Sequence, residues 1–289
     1  MRLYKTFLKG GIPEYLARYY WWAYLWDKSI WFFDHQPIIN AILFGQYDTL
    51  LRNTLARVET RPGARLLQLT CVYGKLTPSL LHHAGNEVHL CDVAAKQLRL
   101  ARGKATDVAD RCHLALMNAE ALGYANDAFD QVIVFFLFHE LPPQARQHVY
   151  DEVARVVRPG GSVLVTEYAE TPHHHWLYKI APFRWVIGRL EPFLPGFWRE
   201  NVTEKLGAAL ATFAKSLSAE PQVEYCFSRF YRVMRFDVHG DRQAEPEDLK
   251  KAANTTATSV LMQHDGGPLG TATFHRASRR CLTSKKFLA

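Results

Sequence analysis

Between residues 64 and 168 the hydrophobic positions fall into short, β-rich apolar runs separated by longer stretches of helical spacing. That alternation is the mark of a doubly wound α/β sheet of Rossmann-like type. It predicts strands at 65–70, 87–92, 113–117, 131–136 and 162–168, with Val157-Arg158-Pro159-Gly160-Gly161 turning the chain into the last of them. In such a sheet a ligand lies beyond the carboxyl ends of the strands, where the strand order reverses, so the residues to read are those just after each strand. They are Gln68-Leu69-Thr70-Cys71-Val72-Tyr73-Gly74, then Asp92, then Asn118-Ala119-Glu120, then Phe138-His139-Glu140, and finally Glu167-Tyr168. Asp92 is placed to take both hydroxyls of a ribose in a bidentate hydrogen bond; a helix N-cap is the plainer reading of the same residue.

Outside the sheet region the pattern is aromatic. Trp21, Trp22, Trp26 and Trp31 crowd the N-terminal segment, and Trp176, Trp185 and Trp198 share a second stretch. The first segment predicts a helix from Glu14, with Pro13 at its first turn, and a second helix starting at Pro37. These rings either contact a membrane surface, helped by Arg2, Lys5, Lys9, Arg18 and Lys28, or pack a lid onto the core. The second stretch, interrupted by Pro182, Pro192 and Pro195, predicts a cap insertion over 171–205. Lid and cap together would wall an apolar pocket suited to a flat hydrophobic ring. His173, His174 and His175 invite a metal reading, yet adjacent histidines cannot all face one ion, and on a loop they read as solvated.

Composition narrows this further. With 289 residues, 48% of them hydrophobic, the chain has ample material for a core, which excludes wholesale disorder. The formal charge of +7 suits nucleic acid, anionic lipid or an anionic cofactor, but the basic residues are dispersed and form no stripe, which argues against nucleic acid. No apolar run reaches the roughly 18 to 20 residues that cross a bilayer, and the first residues lack the apolar core of a signal peptide, so the expectation is a cytoplasmic protein. Cys71, Cys91, Cys112, Cys226 and Cys281 show no paired spacing and read as reduced thiols. The organisation expected is a lid or membrane-contact segment at 1–50, a sheet domain at 51–238 carrying the cap, and a polar, disordered tail at 239–289.

Asp92 closing its strand, Asn118-Ala119-Glu120-Ala121-Leu122, Phe129-Asp130-Gln131-Val132, Leu141-Pro142 and the Val-Arg-Pro-Gly-Gly turn, taken as a set, resemble class I S-adenosylmethionine-dependent methyltransferases. The resemblance covers about residues 40 to 238 and implies a closing antiparallel pair at about 223–227 and 231–237. It also implies that Gln68, Thr70, Val72, Gly74, Asp92, Asn118 and Ala119 are the cofactor-binding positions. One loop departs from that pattern. Where the family carries an acid followed by three alternating glycines, this chain has Gln68, Thr70, Val72 and only Gly74, with bulky Tyr73 beside it.

Tyr20-Trp-Trp-Ala-Tyr24, the run from Ile42 to Asp48, Cys71-Val72-Tyr73-Gly74 and Phe230-Tyr231-Arg232-Val233 are in turn similar to the rhodoquinone biosynthesis methyltransferase-like family. That resemblance implies conversion of ubiquinone to rhodoquinone at the inner membrane surface, with S-adenosylmethionine donating an amino group in place of a ring methoxy group and manganese assisting. Losing the acid would then free the cofactor's amino group to act as nucleophile. The expected catalytic residues are Tyr73, His139 and Tyr47, with Asp92 and His139 as weak metal candidates. Two alternatives stay open: an ordinary methyltransferase acting on a quinol or phenol, and a catalytically dead scaffold.

Overall fold

The computed structural model describes residues 3–8, 11–170 and 175–240. His173, His174, Cys281 and the polar tail beyond residue 240 lie outside the described residues.

Strands β1 (Arg65–Leu69), β2 (Glu87–Asp92), β3 (Cys112–Leu116), β4 (Phe129–Phe135) and β5 (Val157–Tyr168) are parallel neighbours in the order β3-β2-β1-β4-β5. The order reverses between β1 and β4, which opens a crevice beyond their carboxyl ends. Strands β6 (Lys215–Leu217), β7 (Gln222–Cys226) and β8 (Tyr231–Gly240) complete an eight-stranded sheet, with β8 antiparallel to all its neighbours: β5, β6 and β7. This is the doubly wound sheet and closing antiparallel pair that the apolar runs and the resemblance imply. All seven residues of β4 are buried, as a central parallel strand covered on both faces requires.

The covering helices are α5 (Leu76–Ala84), α6 (Ala95–Lys104), α7 (Pro143–Val156) and α10 (Val202–Ala211). Two acidic or basic residues anchor the frame. Asp130 accepts the Arg65 backbone N–H at 2.8 Å and pairs with Arg61 and Arg158. The buried Lys215 donates to the carbonyls of Ala154, Arg155 and Val157 at the C-terminus of α7, where the helix dipole favours a cation. Lys215 belongs to β6, which escapes sequence reading because three residues are too few to show a period.

Two expectations need correction. The Val-Arg-Pro-Gly-Gly stretch is not a turn ahead of the fifth strand: Val157 already pairs with Phe129, and the register then jumps to Gln131 opposite Ser162, so the extra residues bulge out within β5. The N-terminal segment is also not one continuous helix to Pro37. It breaks into α1 (Glu14–Tyr19), a π-helical turn at Trp21–Leu25 and α2 (Asp27–Phe33) before α3 (Gln36–Ile42), which has proline in its first turn as expected. Tyr20 and Trp26 leave the helical conformation at the two breaks, and this re-aims successive aromatic rings that a straight helix would spread around its circumference. Helix α4 (Tyr47–Leu55) follows and packs on β5 and β8, with Thr54 and Thr166 hydroxyls 2.7 Å apart. The cap contributes α8 (Ala181–Leu190), none of whose residues is buried, and the short α9 (Leu194–Phe197).

Candidate functional site

The loop after β1 is conformationally strained where glycines are expected. Thr70 has φ of 64°, in the left-handed region that a β-branched residue adopts at a cost, and Phe136, just past β4, has φ of 53°. Both outliers stand at the crevice where the strand order reverses. The Cys71 N–H donates to Asp92 Oδ2 and the Ala94 N–H to Asp92 Oδ1, each at 2.7 Å, so the end of β2 holds the end of β1. Burial pushes the Asp92 carboxyl up to about 6, although these backbone donors pull the other way. Gln68 is fully buried and turned upon its own surroundings, its amide donating to the Thr70 carbonyl at 3.0 Å and accepting from the Thr77 hydroxyl at 3.1 Å.

Glycine is obligatory at position 74. Its φ is 88°, and a Cβ there would meet the Tyr47 hydroxyl oxygen at 2.5 Å. That oxygen accepts the Lys75 N–H at 2.6 Å, so Tyr47 at the start of α4 pins the loop directly; its neighbour Asp48 is exposed. On the other side Asp34 accepts the Gly74 N–H at 3.2 Å and pairs with Lys104.

Tyr73 is committed to the lid. Its hydroxyl donates to the Ala23 carbonyl and accepts from Gln97 at 3.0 Å, and its ring stacks on Tyr24 at 5.7 Å. Burial pushes the phenol well above its ordinary range.

His139 lies in a short turn, Phe138–Glu140, after β4. Its Nδ1 faces both oxygens of Glu167, at 2.9 and 3.1 Å, and Glu167 is fully buried at the end of β5. Nε2 is turned toward Glu140 Oε1 at 3.9 Å and Glu191 Oε2 at 3.8 Å, too far for hydrogen bonds. Burial depresses the imidazole, but the carboxylates of Glu167, Glu191 and Glu140 outweigh it and hold its pKa up at about 9. Glu140 and Glu191 are themselves pushed up by burial. Tyr24 donates to Glu140, and Tyr20 donates to Glu191 at 2.9 Å.

These groups share one cavity of about 370 Å³. Tyr47, Thr70, Val72, Tyr73, Asp92, Asn118, Ala119 and His139 all line it; Gln68 and Gly74 stand behind its wall. Asn118 forms a local turn there, its side-chain oxygen accepting the Glu120 N–H at 3.0 Å. Sequence reading missed Glu191 and the paired roles of Tyr20 and Tyr24. The cap and lid carry these residues, and only the fold brings them to His139. Among the described residues, donors suited to a metal gather at His139, Glu140 and Glu191 and, on the surface, at Glu87, His89 and His113. Asp92 belongs to neither group.

A family profile described as a methyltransferase domain matches residues 66–161. The chain is 31% identical over 168 residues to a demethylmenaquinone methyltransferase of Lactiplantibacillus plantarum, covering 54% of this chain and 69% of that one. It is 29% identical over 148 residues to the ubiquinone/menaquinone biosynthesis C-methyltransferase UbiE of Shewanella frigidimarina, covering 50% of this chain and spanning 58% of the relative's length. Among solved structures, the N-methyltransferase NodS of Bradyrhizobium japonicum bound to S-adenosyl-L-homocysteine aligns with a TM-score of 0.43 at 18% identity, over 66% of this chain and 85% of that one.

Proposed function

This chain belongs to the class I methyltransferase family, and from that premise we propose that it uses S-adenosylmethionine to modify the ring of a lipophilic quinone. The finer reading is conversion of ubiquinone to rhodoquinone, with the cofactor's amino group replacing a ring methoxy group. The observation that carries it is the state of Gln68. Where an acid would hold the methionine ammonium, a neutral amide is buried and bonded to Thr70 and Thr77, so that position offers the amino group no carboxylate. An amine released from its clamp can lose a proton and add to the ring carbon that bears the methoxy group, and methanol then departs. Loss of the α-carbon proton would then pass two electrons into the quinone ring and leave an imine, which water would hydrolyse to an aminoquinol and the 2-oxo acid of the methionine portion, so that the nitrogen stays on the ring. Glu167 fixes the His139 ring with Nε2 toward the cavity, which supports His139 as a catalytic group in this reading, and Asp92 is its ribose ligand.

Tyr73 and Tyr47 serve as positioning residues in this proposal, because their hydroxyls are engaged by the lid and the loop. A membrane source for the substrate is supported by the cavity mouth. Leu190 and Ile42 line the cavity and are also exposed, and Trp185, Val186 and Ile180 expose further apolar area beside Arg184 and Arg189 on the cap. No helix among the described residues is long and apolar enough to cross a membrane, so contact would be at the surface.

A second reading, methyl transfer to a quinol ring carbon, is favoured by the names of the curated relatives. Incubating the protein with ubiquinone and S-adenosylmethionine labelled with nitrogen-15 at its amino group, then analysing quinones by mass spectrometry, separates the two. Heavy aminoquinone is the expected product; a methylated ring with S-adenosylhomocysteine would replace the first reading by the second.

A further inference from the structure

The carboxylates around His139 are out of balance. Glu140, Glu167 and Glu191 surround a single imidazole, and among the described residues no lysine or arginine pairs with any of the three. Glu167 is fully buried and the other two are largely so. Burying negative charge without compensation is expensive, and a cation among these groups would remove much of that cost. Their geometry selects where it would sit. Because Glu167 takes Nδ1, the ring is held with Nε2 directed into the cavity, and Nε2 has no hydrogen-bond partner among the described residues. A carboxylate behind the far nitrogen of a histidine is the arrangement that orients a metal ligand.

We propose that His139 Nε2, Glu140 and Glu191 form a binding site for one divalent cation on the cavity wall. The three donor atoms all lie within 4.8 Å of one another, and the imidazole nitrogen is 3.9 and 3.8 Å from the two carboxylate oxygens. Two donors about 2.1 to 2.3 Å from a common ion stand at most roughly 4.5 Å apart, so small side-chain adjustments close the set. Tyr24 and Tyr20 hold the two carboxylates in place from the lid. Two carboxylates with one imidazole suit manganese, iron or zinc better than calcium, which prefers an all-oxygen shell of six or more ligands. Such an ion would supply Lewis-acid polarisation of a ring oxygen in the cavity. The site deepens the quinone reading, but its donor geometry is independent of which group is transferred.

The site also has a structural consequence. His139 and Glu140 lie in the turn that follows β4, and Glu191 caps the C-terminus of helix α8, so an occupied site ties cap to core. The test is titration of the full chain with Mn2+, followed by electron paramagnetic resonance, in which the free ion's signal disappears on binding. About one tightly bound Mn2+ per chain is expected, with nitrogen modulation from one imidazole in the spin echo and a rise in Tm on loading. Glu191→Gln and Glu140→Gln should each weaken binding at least tenfold while the metal-free Tm holds or rises, whereas His113→Ala in the surface group should change nothing. Absence of tight binding, or equal binding by the wild type and both glutamine variants, overturns the site. Tight binding without labelled aminoquinone leaves the site standing and removes the amino-transfer reading; labelled product without tight binding does the reverse.

Discussion

Gly74 and Asp92 show how single positions set the properties of the cavity. At Gly74 the backbone is left-handed and the Tyr47 hydroxyl fills the space a Cβ would need. Gly74→Ala is therefore expected to cost about 1 to 3 kcal/mol and to lower Tm, because either the backbone or Tyr47 must move and the Lys75 N–H then loses its acceptor. Thermal unfolding of the variant beside Tyr47→Phe measures this, and a Tm unchanged in Gly74→Ala would refute the clash. Asp92 carries a pH prediction. Its carboxyl is raised by burial to about 6, above its unfolded value, so the folded protein binds this proton more tightly, and Asp92 contributes a fall in stability as pH rises from about 4 to 6. Ribose hydroxyls, by contrast, need the ionised carboxylate as acceptor. If Asp92 is the proposed ribose ligand, cofactor affinity declines about tenfold per unit below pH 6 and is flat above it. Calorimetric titration between pH 5 and 7.5 reads this directly, and Asp92→Asn should abolish the slope.

Helix α8 rests on the core only through the partly buried Phe183 and Ile187, and it exposes Trp185 and Val186 beside Arg184 and Arg189. An amphipathic helix of this sort is stabilised by an interface, where tryptophan sits at headgroup depth and the guanidinium groups meet anionic lipid. Trp185→Glu is expected to reduce sedimentation with vesicles containing anionic lipid several-fold without lowering Tm, since the ring is 68% exposed. Equal sedimentation of variant and wild type would count against the surface contact. The broken N-terminal segment makes the complementary point. Density of Trp and Tyr marked it as a lid or a membrane-contact segment, but where it bends depends on which rings find partners: Tyr73 stacks on Tyr24, and Trp22 meets Phe33 edge-on at 5.6 Å.

Across the whole molecule, lid and cap close over the crevice through hydroxyl–carboxylate bonds. Tyr15 donates to Glu120, Tyr20 to Glu191 and Tyr24 to Glu140. Removing two of these hydroxyls, in Tyr20→Phe with Tyr24→Phe, should speed amide hydrogen exchange across residues 14–33 while β1, β4 and β5 keep their protection. Uniform exchange in variant and wild type would mean that apolar packing alone holds the lid. By itself the sequence determined the five parallel strands, because apolar runs and the residues between them are local signals, and it determined that residues following those strands meet in one cavity, because that follows from the topology of any doubly wound sheet. Thr70, Asp92, Asn118 and His139 were legible on those grounds. Only the tertiary structure decided that Gln68 turns away from the cavity, that Tyr73 fastens the lid, and that Glu191 joins His139 and Glu140. Each of those depends on contacts between residues far apart in the chain, such as Tyr20 and Glu191, and no local pattern encodes which distant side chains a folded core will bring within reach.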